Sequence, residues 1–520
     1  MSYVWEYHFF KLNPRAYLTT NLILHLLNCL LVFWFILLLS ENLFVSFATA
    51  ILFAIHPLHV ESVTWISDRR DVLYSLFFLA AIISYLYYVK RKHWGHYYFS
   101  IALFTLSVLA KAMAITLPVL LFLLDWTLER KFRKNSLKDK LPFFIITILF
   151  GFITLLIRNS SGDIVPAYLS GLHYNLAITS YALLFYLFKM IVPIGLSCFY
   201  HYTYGILGLS NSLFFFSPFI LAALITTLIF LSKYTKKIIF GTLFFITSIS
   251  VALPIIPSRT AVSIVTDRYF YIPSIGLFYL FGELFYWILY RKYRQMKTAQ
   301  FFISICFAGI IIGLSFLTWQ RSKVWKNSLT LWNDVINKYP QEYIPIAYYN
   351  RGIVYIGNRE NKKALADLDK ALMLYYKALK IHKNYSQVYD MLLLNGNGYS
   401  DIYNFLGVEF TKVGRNQEAI ILFEQVITTN PADVDGYINL AVTYGRLKRY
   451  KEAVLNGEKA IKLAPDSPGA HYNLSIAYYF DKQYDLALKH SEIAAQLGFT
   501  PNPEFLKRVE QHSEERKTKK

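Results

Sequence analysis

Long apolar segments dominate the first three-fifths of this chain. They follow one another up to residue 318, each about 14 to 24 residues long, with short charged connectors between them. An α-helix rises about 1.5 Å per residue and the hydrocarbon core of a bilayer is about 30 Å thick, so segments near this length can cross a membrane. We therefore predict an all-α polytopic membrane domain of about 11 helices over residues 1–320. The predicted crossings are residues 16–39, 42–55, 71–89, 97–111, 113–127, 141–157, 175–193, 212–232, 238–255, 269–290 and 299–318.

The positive charge of the chain lies in the connectors between these segments. The formal net charge is +20, yet the lysines and arginines form short clusters and no continuous stripe, so no nucleic-acid partner is predicted. The positive-inside rule places the clusters in the cytoplasm. They are Lys90 to Lys92, Arg130 to Lys140, Lys233 to Lys237 and Arg291 to Lys297.

This orientation places three charged elements on the extracytoplasmic side. They are the stretch HPLHVESVTWISDRRDV at residues 56–72, Lys111 at a helix end, and the loop at residues 254–274. A last crossing then delivers the C-terminal part to the same side. The chain must cross the membrane an even number of times between two clusters on the same side. The part that contains residues 158–211 breaks this rule, and a re-entrant or broken segment is expected at IVPIGLSCFYHYTYG, residues 191–205.

The C-terminal part contains helical repeats. Four units open with YNRGIVY, NFLGVEF, NLAVTYG and NLSIAYY, and each small residue in these openings is followed twelve residues later by an alanine. This pattern is typical of tetratricopeptide repeats, which we predict over residues 346–500, with an insertion near residues 379–401. Residues 321–345 would form a connector, and residues 501–520 a charged, disordered tail. Such repeats bind extended peptides or proteins; a structural cap over the membrane part is the alternative.

Four motifs in this order resemble one known family. They are FAIHPLHVESVTWISDRRDVL, LAKAMAITLPVLLFLLDW, TDRYFYIPSIGLF and KVWKNSLTLW, and the repeats follow them. The chain resembles the transmembrane and tetratricopeptide-repeat-containing (TMTC-like) proteins and their bacterial relatives, which themselves resemble protein O-mannosyltransferases of the glycosyltransferase C fold. The resemblance implies a polytopic enzyme of the bacterial inner membrane. Such an enzyme transfers a sugar from a polyprenyl-phosphate carrier to a protein hydroxyl outside the cytoplasm.

The beginning of the chain departs from the pattern of that superfamily. Its members usually carry an essential acidic residue in a first external loop that follows a first helix. The opening MSYVWEYHFFKLNPRAYLTTNLILHLLN resembles the part of the family beyond that loop, and Glu6 is the only carboxylate before Glu41. We therefore expect either that a start upstream of Met1 supplies the helix and the loop, or that the protein is a degenerate member without ordinary activity.

Several external residues could carry sugar transfer. The reaction needs a carboxylate that accepts the proton of the acceptor hydroxyl and cations that hold the departing phosphate. We predict Glu61 as the acid/base or acceptor-positioning group, and His56 and His59 as hydrogen-bond partners. As ligands of the donor phosphate we predict Arg69, Lys111 and Arg268. As supporting residues we predict Asp71 and Asp267.

Each of these assignments has a structural alternative. The charges at residues 68–71 could be ion pairs at the start of a helix, and Asp267 with Arg268 could be a structural pair at a helix entrance. No third ligand stands at a suitable spacing from His56 and His59, so no metal site is predicted and a divalent-metal requirement stays open. Two other functions also fit the sequence. They are a ligase that moves a lipid-linked oligosaccharide and a non-catalytic membrane-anchored repeat scaffold.

Overall fold

The chain forms helices in two compact units. The computed structural model describes residues 2–130, 137–160, 172–200, 211–233, 235–253, 265–339, 344–381 and 398–518, and the regular structure in these ranges is helical. The first unit comprises Met1–Pro340 and the second Gln341–Lys520. The predicted all-α class is confirmed.

The first unit is a helical bundle around one apolar core. Between its α-helices stand short 3-10 turns at Pro57–His59, Ile66–Asp68, Ala112–Thr116, Ser250–Ala252 and Asp267–Phe270, and a π-helical turn at Ile288–Lys292. The α-helices are α1 (Ser2–Phe10), α2 (Pro14–Ser40), α3 (Leu43–Ile55), α4 (Val60–Thr64), α5 (Arg70–Arg91), α6 (Trp94–Ala110), α7 (Leu117–Thr127), α8 (Leu141–Ser160), α9 (Leu172–Ile191), α10 (Asn211–Ser232), α11 (Lys236–Ile249), α12 (Ser274–Trp287), α13 (Lys297–Val324) and α14 (Ser328–Lys338).

Each of the eleven predicted crossings overlaps a helix of this unit. In the described parts of the chain, three helical stretches are long and apolar enough to span a membrane, namely Pro14–Ser40, Ile66–Arg91 and Lys297–Val324. A fourth span results if Leu43–Ile55 and Pro57–Thr64, which meet at a bend of 54°, cross together. The chain is therefore a membrane protein, while the number of crossings stays a prediction.

The break after α3 positions the candidate site. Asn42 caps the start of the helix, because its side chain accepts a hydrogen bond from the backbone N–H of Val45 at 3.1 Å. The helix ends after 13 residues at His56, whose backbone is extended (φ −75°, ψ 130°). Pro57 explains this end, because a proline disfavours the helical conformation of the residue before it. The chain then turns, and α4 brings Glu61 back into the bundle.

Two glycines let α11 and α12 touch through their backbones. A Cβ atom on Gly241 would lie 2.7 Å from the carbonyl oxygen of Gly276, which is too close for any larger residue. This contact holds the start of α12 against the bundle. The 3-10 turn Asp267–Phe270, which directly precedes α12, is thereby fixed at the same end.

The second unit is a stack of antiparallel helix pairs. The predicted repeats are confirmed by their packing: Gly407 faces Phe423, where a Cβ atom would lie 2.5 Å from the ring, and Ser475 donates a hydrogen bond of 2.8 Å to the carbonyl of Ala487. The helices are α15 (Pro345–Gly357), α16 (Asn361–Ile381), α17 (Gly398–Lys412), α18 (Asn416–Thr429), α19 (Val434–Arg446), α20 (Tyr450–Leu463), α21 (Pro468–Phe480), α22 (Tyr484–Gln496) and α23 (Pro503–Thr518).

The C-terminal segment differs from the sequence prediction. Residues 501–520 were expected to be a disordered tail, but α23 packs on α22. Val509 is fully buried, and the hydroxyl of Ser513 donates to Asp485 at 2.6 Å. The physical reason is that the last repeat of a stack leaves an apolar face open, and a terminal helix covers it.

Two other predicted features lie partly outside the described residues. Of the insertion at residues 379–401, the structure describes the end of α16 and the start of α17. Of the predicted broken segment at residues 191–205, it describes residues up to 200, which are not helical after Ile191.

Candidate active site at one end of the bundle

Arg268 joins two carboxylates that come from separate turns of the chain. Its Nη1 lies 3.0 Å from Oε1 of Glu61 on α4, and its Nε lies 3.0 Å from Oδ2 of Asp68. The guanidinium also lies over the ring of Trp65, 4.9 Å from its centroid. The stretch at residues 56–72 and the loop that precedes α12 therefore meet at one end of the bundle.

A second ion pair adjoins the first. The Nζ atom of Lys111 contacts Oδ1 of Asp71. Asp71 stands in the first turn of α5 and Lys111 at the C-terminal end of α6, so each charge complements the dipole of its own helix. The ring of Tyr269 lies 5.2 Å from the Lys111 ammonium and 5.3 Å from the Arg268 guanidinium. The two cations thus flank one aromatic ring.

The carboxylates of these pairs are buried more deeply than the cations. The side chains of Glu61 and Asp71 are each 1% exposed, whereas Arg268 is 21% and Lys111 15% exposed. Oε2 of Glu61 and Oδ2 of Asp71 have no hydrogen-bond partner within the described ranges. An anion that approaches from outside would therefore meet the two cations first, with the carboxylates behind them.

Asp267 points away from its neighbour Arg268. Its Oδ1 accepts a hydrogen bond of 2.6 Å from the hydroxyl of Tyr200, and its Oδ2 lies 3.9 Å from Nη2 of Arg321. Arg321 stands near the end of α13, and its Nη1 lies 3.0 Å from Asp334 on α14. Burial raises the pKa of Asp267 to about 6, against the opposing attraction of Arg321. The alternative that Asp267 and Arg268 pair with each other does not hold.

The two predicted histidines do not contact Glu61. The Nε2 of His56 donates to the carbonyl of Met190 at 3.0 Å, and the Nδ1 of His59 donates to the carbonyl of Phe53 at 2.7 Å. Both rings are buried at the helix break, where they bind carbonyls, so their predicted role as partners of Glu61 is wrong. In the part of the chain that the structure describes, no group of three or more His, Cys, Asp or Glu side chains could hold a metal ion.

Arg69 lies apart from the two ion pairs. Its Nη1 contacts Glu6 at 2.6 Å, its Nε donates to Asn21 at 2.8 Å, and its Nη2 donates to the carbonyl of Tyr17 at 3.1 Å. The side chain is 1% exposed. A phosphate could reach it only by displacing these partners, so Arg69 connects α1 and α2 to the start of α5 and is not available as the predicted phosphate ligand.

A polar stripe on α2 supports the site and was missed in the sequence. Asn28 donates to the carbonyl of Val72 at 2.9 Å, and Nδ1 of His25 lies 2.7 Å from the hydroxyl of Tyr271. With Asn21 they recur at the helical spacing of four and three residues within an apolar segment. Polar residues on one face of a membrane helix usually mark a functional interior, and this signal could have identified them.

Lys90 and Lys237, from two of the basic clusters, lie at the other end of the bundle. Lys90 pairs with Glu41 at 3.2 Å, and Lys237 pairs with Glu283 at 2.7 Å. Asp71 and Lys90 lie about 19 residues apart on α5, or about 28 Å, which is close to the thickness of the hydrocarbon core. The candidate site and Lys90 are therefore separated by about one membrane thickness.

Comparisons with known proteins agree with the motifs. The tetratricopeptide repeat family model matches residues 400–433 and 434–467. The chain is 24% identical over 399 residues to the protein O-mannosyl-transferase F38B6.6 of Caenorhabditis elegans, and the alignment covers 73% of this chain and 53% of that protein. It is 34% identical over 134 residues to the protein O-mannosyl-transferase Tmtc1 of Drosophila melanogaster, covering 24% of this chain and 16% of that protein.

The chain thus spans about half the length of the first of these relatives. Among solved structures, YrrB, described as a TPR protein with an unusual peptide-binding site, is 17% identical with a TM-score of 0.27, over 40% of this chain and 91% of that chain. The curated homologues of this chain are therefore protein O-mannosyl-transferases of the TMTC type, which confirms the resemblance that its motifs predicted.

Proposed function

We propose that the chain is a membrane glycosyltransferase that moves a sugar from a polyprenyl-phosphate carrier to hydroxyl groups of proteins outside the cytoplasm. The observation that carries this proposal is the paired arrangement of Glu61 with Arg268 and Asp71 with Lys111, in which buried carboxylates stand behind partly exposed cations. The names of the homologues support the transferase class.

The two cations suit the phosphate of such a donor. A lipid-linked phosphate is held at the membrane surface, and a guanidinium and an ammonium on either side of Tyr269 could contact its oxygens together. As the phosphate binds, the carboxylates lose part of their ion pairing. Glu61 would then be free to act on the acceptor.

The reaction requires one proton transfer and one displacement. The acceptor hydroxyl oxygen attacks the anomeric carbon of the sugar, and the bond from that carbon to the phosphate oxygen breaks. The bonding electron pair stays on the phosphate, whose added negative charge Arg268 and Lys111 stabilise. Glu61 accepts the proton of the hydroxyl, in the role of a general base.

The repeats would bind the acceptor protein. Within the second unit, a cavity of about 260 Å³ opens between α19 and α21. Apolar and small side chains line most of it, and Asn473 and Arg446 add hydrogen-bonding groups at its wall. A groove of this composition suits an extended peptide, whose backbone needs polar partners and whose side chains need apolar pockets.

The orientation belongs to the same proposal. The repeats and the candidate site would both lie outside the cytoplasm. The cysteines of the chain stand at positions 29, 198 and 306, so residues 346–500 contain none. A single cysteine introduced there should react with a membrane-impermeant thiol reagent in intact cells, and protection until lysis would contradict the orientation and the enzyme proposal with it.

The test of the activity is transfer of a labelled sugar. Membranes that contain the full chain are given labelled polyprenyl-phosphate sugar and protein acceptors, and Glu61→Gln is expected to abolish transfer. Glu283→Gln is the matched control. Glu283 is also an ion-paired glutamate of the bundle, but it lies about 13 Å along α12 from Ser274 and should keep wild-type transfer.

The same experiment separates the other functions. Transfer only from a pyrophosphate-linked oligosaccharide would indicate a ligase. Absence of transfer from either donor by the wild-type chain would favour a non-catalytic repeat scaffold. Normal transfer by Glu61→Gln would refute the role of this residue.

A further inference from the structure

Several buried polar atoms beside the ion pairs have no hydrogen-bond partner among the described residues. Oδ2 of Asp267 and Nη2 of Arg321 face each other at 3.9 Å, which is too far for a direct hydrogen bond. Neither atom has another hydrogen-bond partner within the described ranges, and the same holds for Oε2 of Glu61 and Nε1 of Trp325. Buried polar groups are normally satisfied, so a cluster of this kind indicates a place where a polar ligand binds.

These atoms lie around one location. Arg268 contacts Glu61 at 3.0 Å and lies over the ring of Trp65, and its neighbour in the same turn, Asp267, faces Arg321. The guanidinium of Arg321 lies 5.9 Å from the ring centroid of Trp325, and Trp325 in turn packs against Trp65 with centroids 5.9 Å apart. Two carboxylate acceptors, two N–H donors and a pair of indole rings therefore border the same region.

We propose that this region is the subsite for the sugar ring of the donor. Each hydroxyl of a hexopyranose can both donate to Asp267 and accept from Arg321 or Trp325. The indole rings supply a flat apolar surface for the C–H face of the ring. This inference rests on the proposed function, and it names the part of the donor that binds beside the phosphate-binding cations.

A single acceptor hydroxyl fits the same atoms less well. One serine or threonine hydroxyl could bridge Asp267 and Arg321, but it would leave Nε1 of Trp325 without a partner. A ring with several neighbouring hydroxyls can satisfy all three. The tryptophan pair, moreover, has no use in binding one small hydroxyl.

The sugar subsite would adjoin the phosphate subsite because of a local feature of the chain. Asp267 and Arg268 are consecutive residues of one 3-10 turn, and their side chains reach in different directions. Arg268 reaches Glu61 and Asp68, whereas Asp267 reaches Tyr200 and faces Arg321. The sugar of the donor is bonded directly to its phosphate, so two subsites that share one turn have the adjacency that the ligand needs.

The test compares two soluble probes, mannose 1-phosphate and inorganic phosphate. Their binding to the purified full chain in detergent is measured by the concentration dependence of the unfolding temperature. The wild-type chain should bind mannose 1-phosphate about tenfold more tightly, because the sugar adds hydrogen bonds to charged groups. Asp267→Asn and Arg321→Lys should each remove this preference while leaving the affinity for inorganic phosphate unchanged. Lys111→Gln should weaken both probes.

Two variants guard the interpretation. Arg321→Lys retains a positive charge near Asp334, so it carries the test if Asp267→Asn does not fold. Arg351→Lys makes the same substitution at an ion-paired arginine of the repeats and should keep the preference.

The outcomes distinguish this inference from the proposed function. Equal binding of both probes by the wild-type chain, or equal weakening of both by Asp267→Asn and Arg321→Lys, overturns the sugar subsite. An unchanged preference in these variants also overturns it. A raised KM for the acceptor would then assign the atoms to the acceptor hydroxyl. If the preference behaves as proposed but the wild-type chain transfers no sugar, the subsite stands and the transferase proposal fails.

Discussion

The ion pair between Lys111 and Asp71 allows a structural role and a functional role to be separated. Lys111→Gln removes the cation and leaves the carboxylate of Asp71 in place. That carboxylate is 1% exposed. Of the other charges that act on it, Asp68 has the same sign, and Arg268 is already paired with Glu61 and Asp68. We therefore expect the single substitution to destabilise the protein as well as to abolish binding of the donor phosphate.

The size of the destabilisation follows from the burial of the pair. Removing one member of a buried ion pair costs about 3 to 5 kcal/mol, because it leaves an uncompensated charge. For a unit of this size, 1 kcal/mol lowers the unfolding temperature by about 2 °C, so Lys111→Gln should lower it by roughly 6 to 10 °C. In the double variant Asp71→Asn/Lys111→Gln, two neutral amides replace the pair. The stability of this variant should return to within about 1 kcal/mol of the wild type.

Activity should not return with stability. The double variant still lacks the ammonium group that we assign to the donor phosphate, so its transfer of labelled sugar in membranes should stay near background. Unfolding temperature in detergent and transfer rate are measured on the same four proteins: wild type, both single variants and the double variant. A double variant as active as the wild type would refute the phosphate-binding role. A double variant as unstable as Lys111→Gln would refute the account of the buried pair.

Lys236→Gln provides the matched control. This lysine also pairs with a carboxylate of the first unit, Glu129 at 2.6 Å, but the two side chains are 50% and 75% exposed. An exposed pair contributes little to stability. We therefore expect a shift in the unfolding temperature below about 2 °C and unchanged sugar transfer.

Three further predictions test other parts of the structure. Arg69→Met should lower the unfolding temperature by several degrees, because the carboxylate of Glu6 loses its ion-pair partner. The transfer rate per folded molecule should change less than twofold. A selective loss of transfer would restore Arg69 as a phosphate ligand. Gly407→Val should destabilise the repeats, since a Cβ atom at this position would lie 2.5 Å from the ring of Phe423. Limited proteolysis of the full chain should then cut the repeats faster than in the wild type. In the control Gly445→Ala, where the space around the new Cβ atom is open, the rate of cleavage should not change. Burial raises the pKa of Asp267 to about 6. The protonated carboxyl therefore stabilises the fold fully below about pH 4, and the free energy of unfolding falls by roughly 3 kcal/mol as the pH rises through 6. Asp267→Asn should flatten this part of the plot of unfolding free energy against pH, and an unchanged plot would contradict the shift.

The fold could be predicted because its signals are local and repeated. Apolar length predicted the helices of the first unit, and the twelve-residue spacing of small residues predicted the helix pairs of the second. The end of the chain could not be predicted in this way. The sequence after residue 503 is strongly charged, and its helix depends on covering the last repeat through Val509. Charge density describes solvation, whereas this helix is determined by the surface that it packs against.

The site could be predicted only in part, because side-chain partners depend on tertiary geometry. Two ion pairs at one end of the bundle join Glu61 to Arg268 and Asp71 to Lys111, and their roles in catalysis stay a prediction. His56 and His59 lie close to Glu61 in the sequence, yet the ring of His56 binds the carbonyl of Met190 near the end of α9, and the ring of His59 binds the carbonyl of Phe53 on α3. Proximity in the chain suggested a hydrogen bond that the direction of the side chains rules out.

The ion-pair partners of Arg321 decide whether this residue counts as evidence for the orientation of the chain in the membrane. In the sequence it follows the last apolar segment, and together with Lys323 and Lys326 it argues for a cytoplasmic end under the positive-inside rule. In the structure α13 continues through Arg321 to Val324, and at 28 residues it is about 42 Å long, well over the hydrocarbon thickness. Its last turns carry Arg321 to a position between Asp334 and Asp267, where the side chain is 6% exposed. Lys338 also pairs with Asp334 at 2.6 Å, so two cations and two carboxylates form a neutral cluster, and Arg321 carries little weight as a free basic residue of a loop. The orientation test with an introduced cysteine is therefore best made together with Arg321→Lys, since a substitution that retains the charge should leave the orientation unchanged while it removes the discrimination between the two phosphate probes.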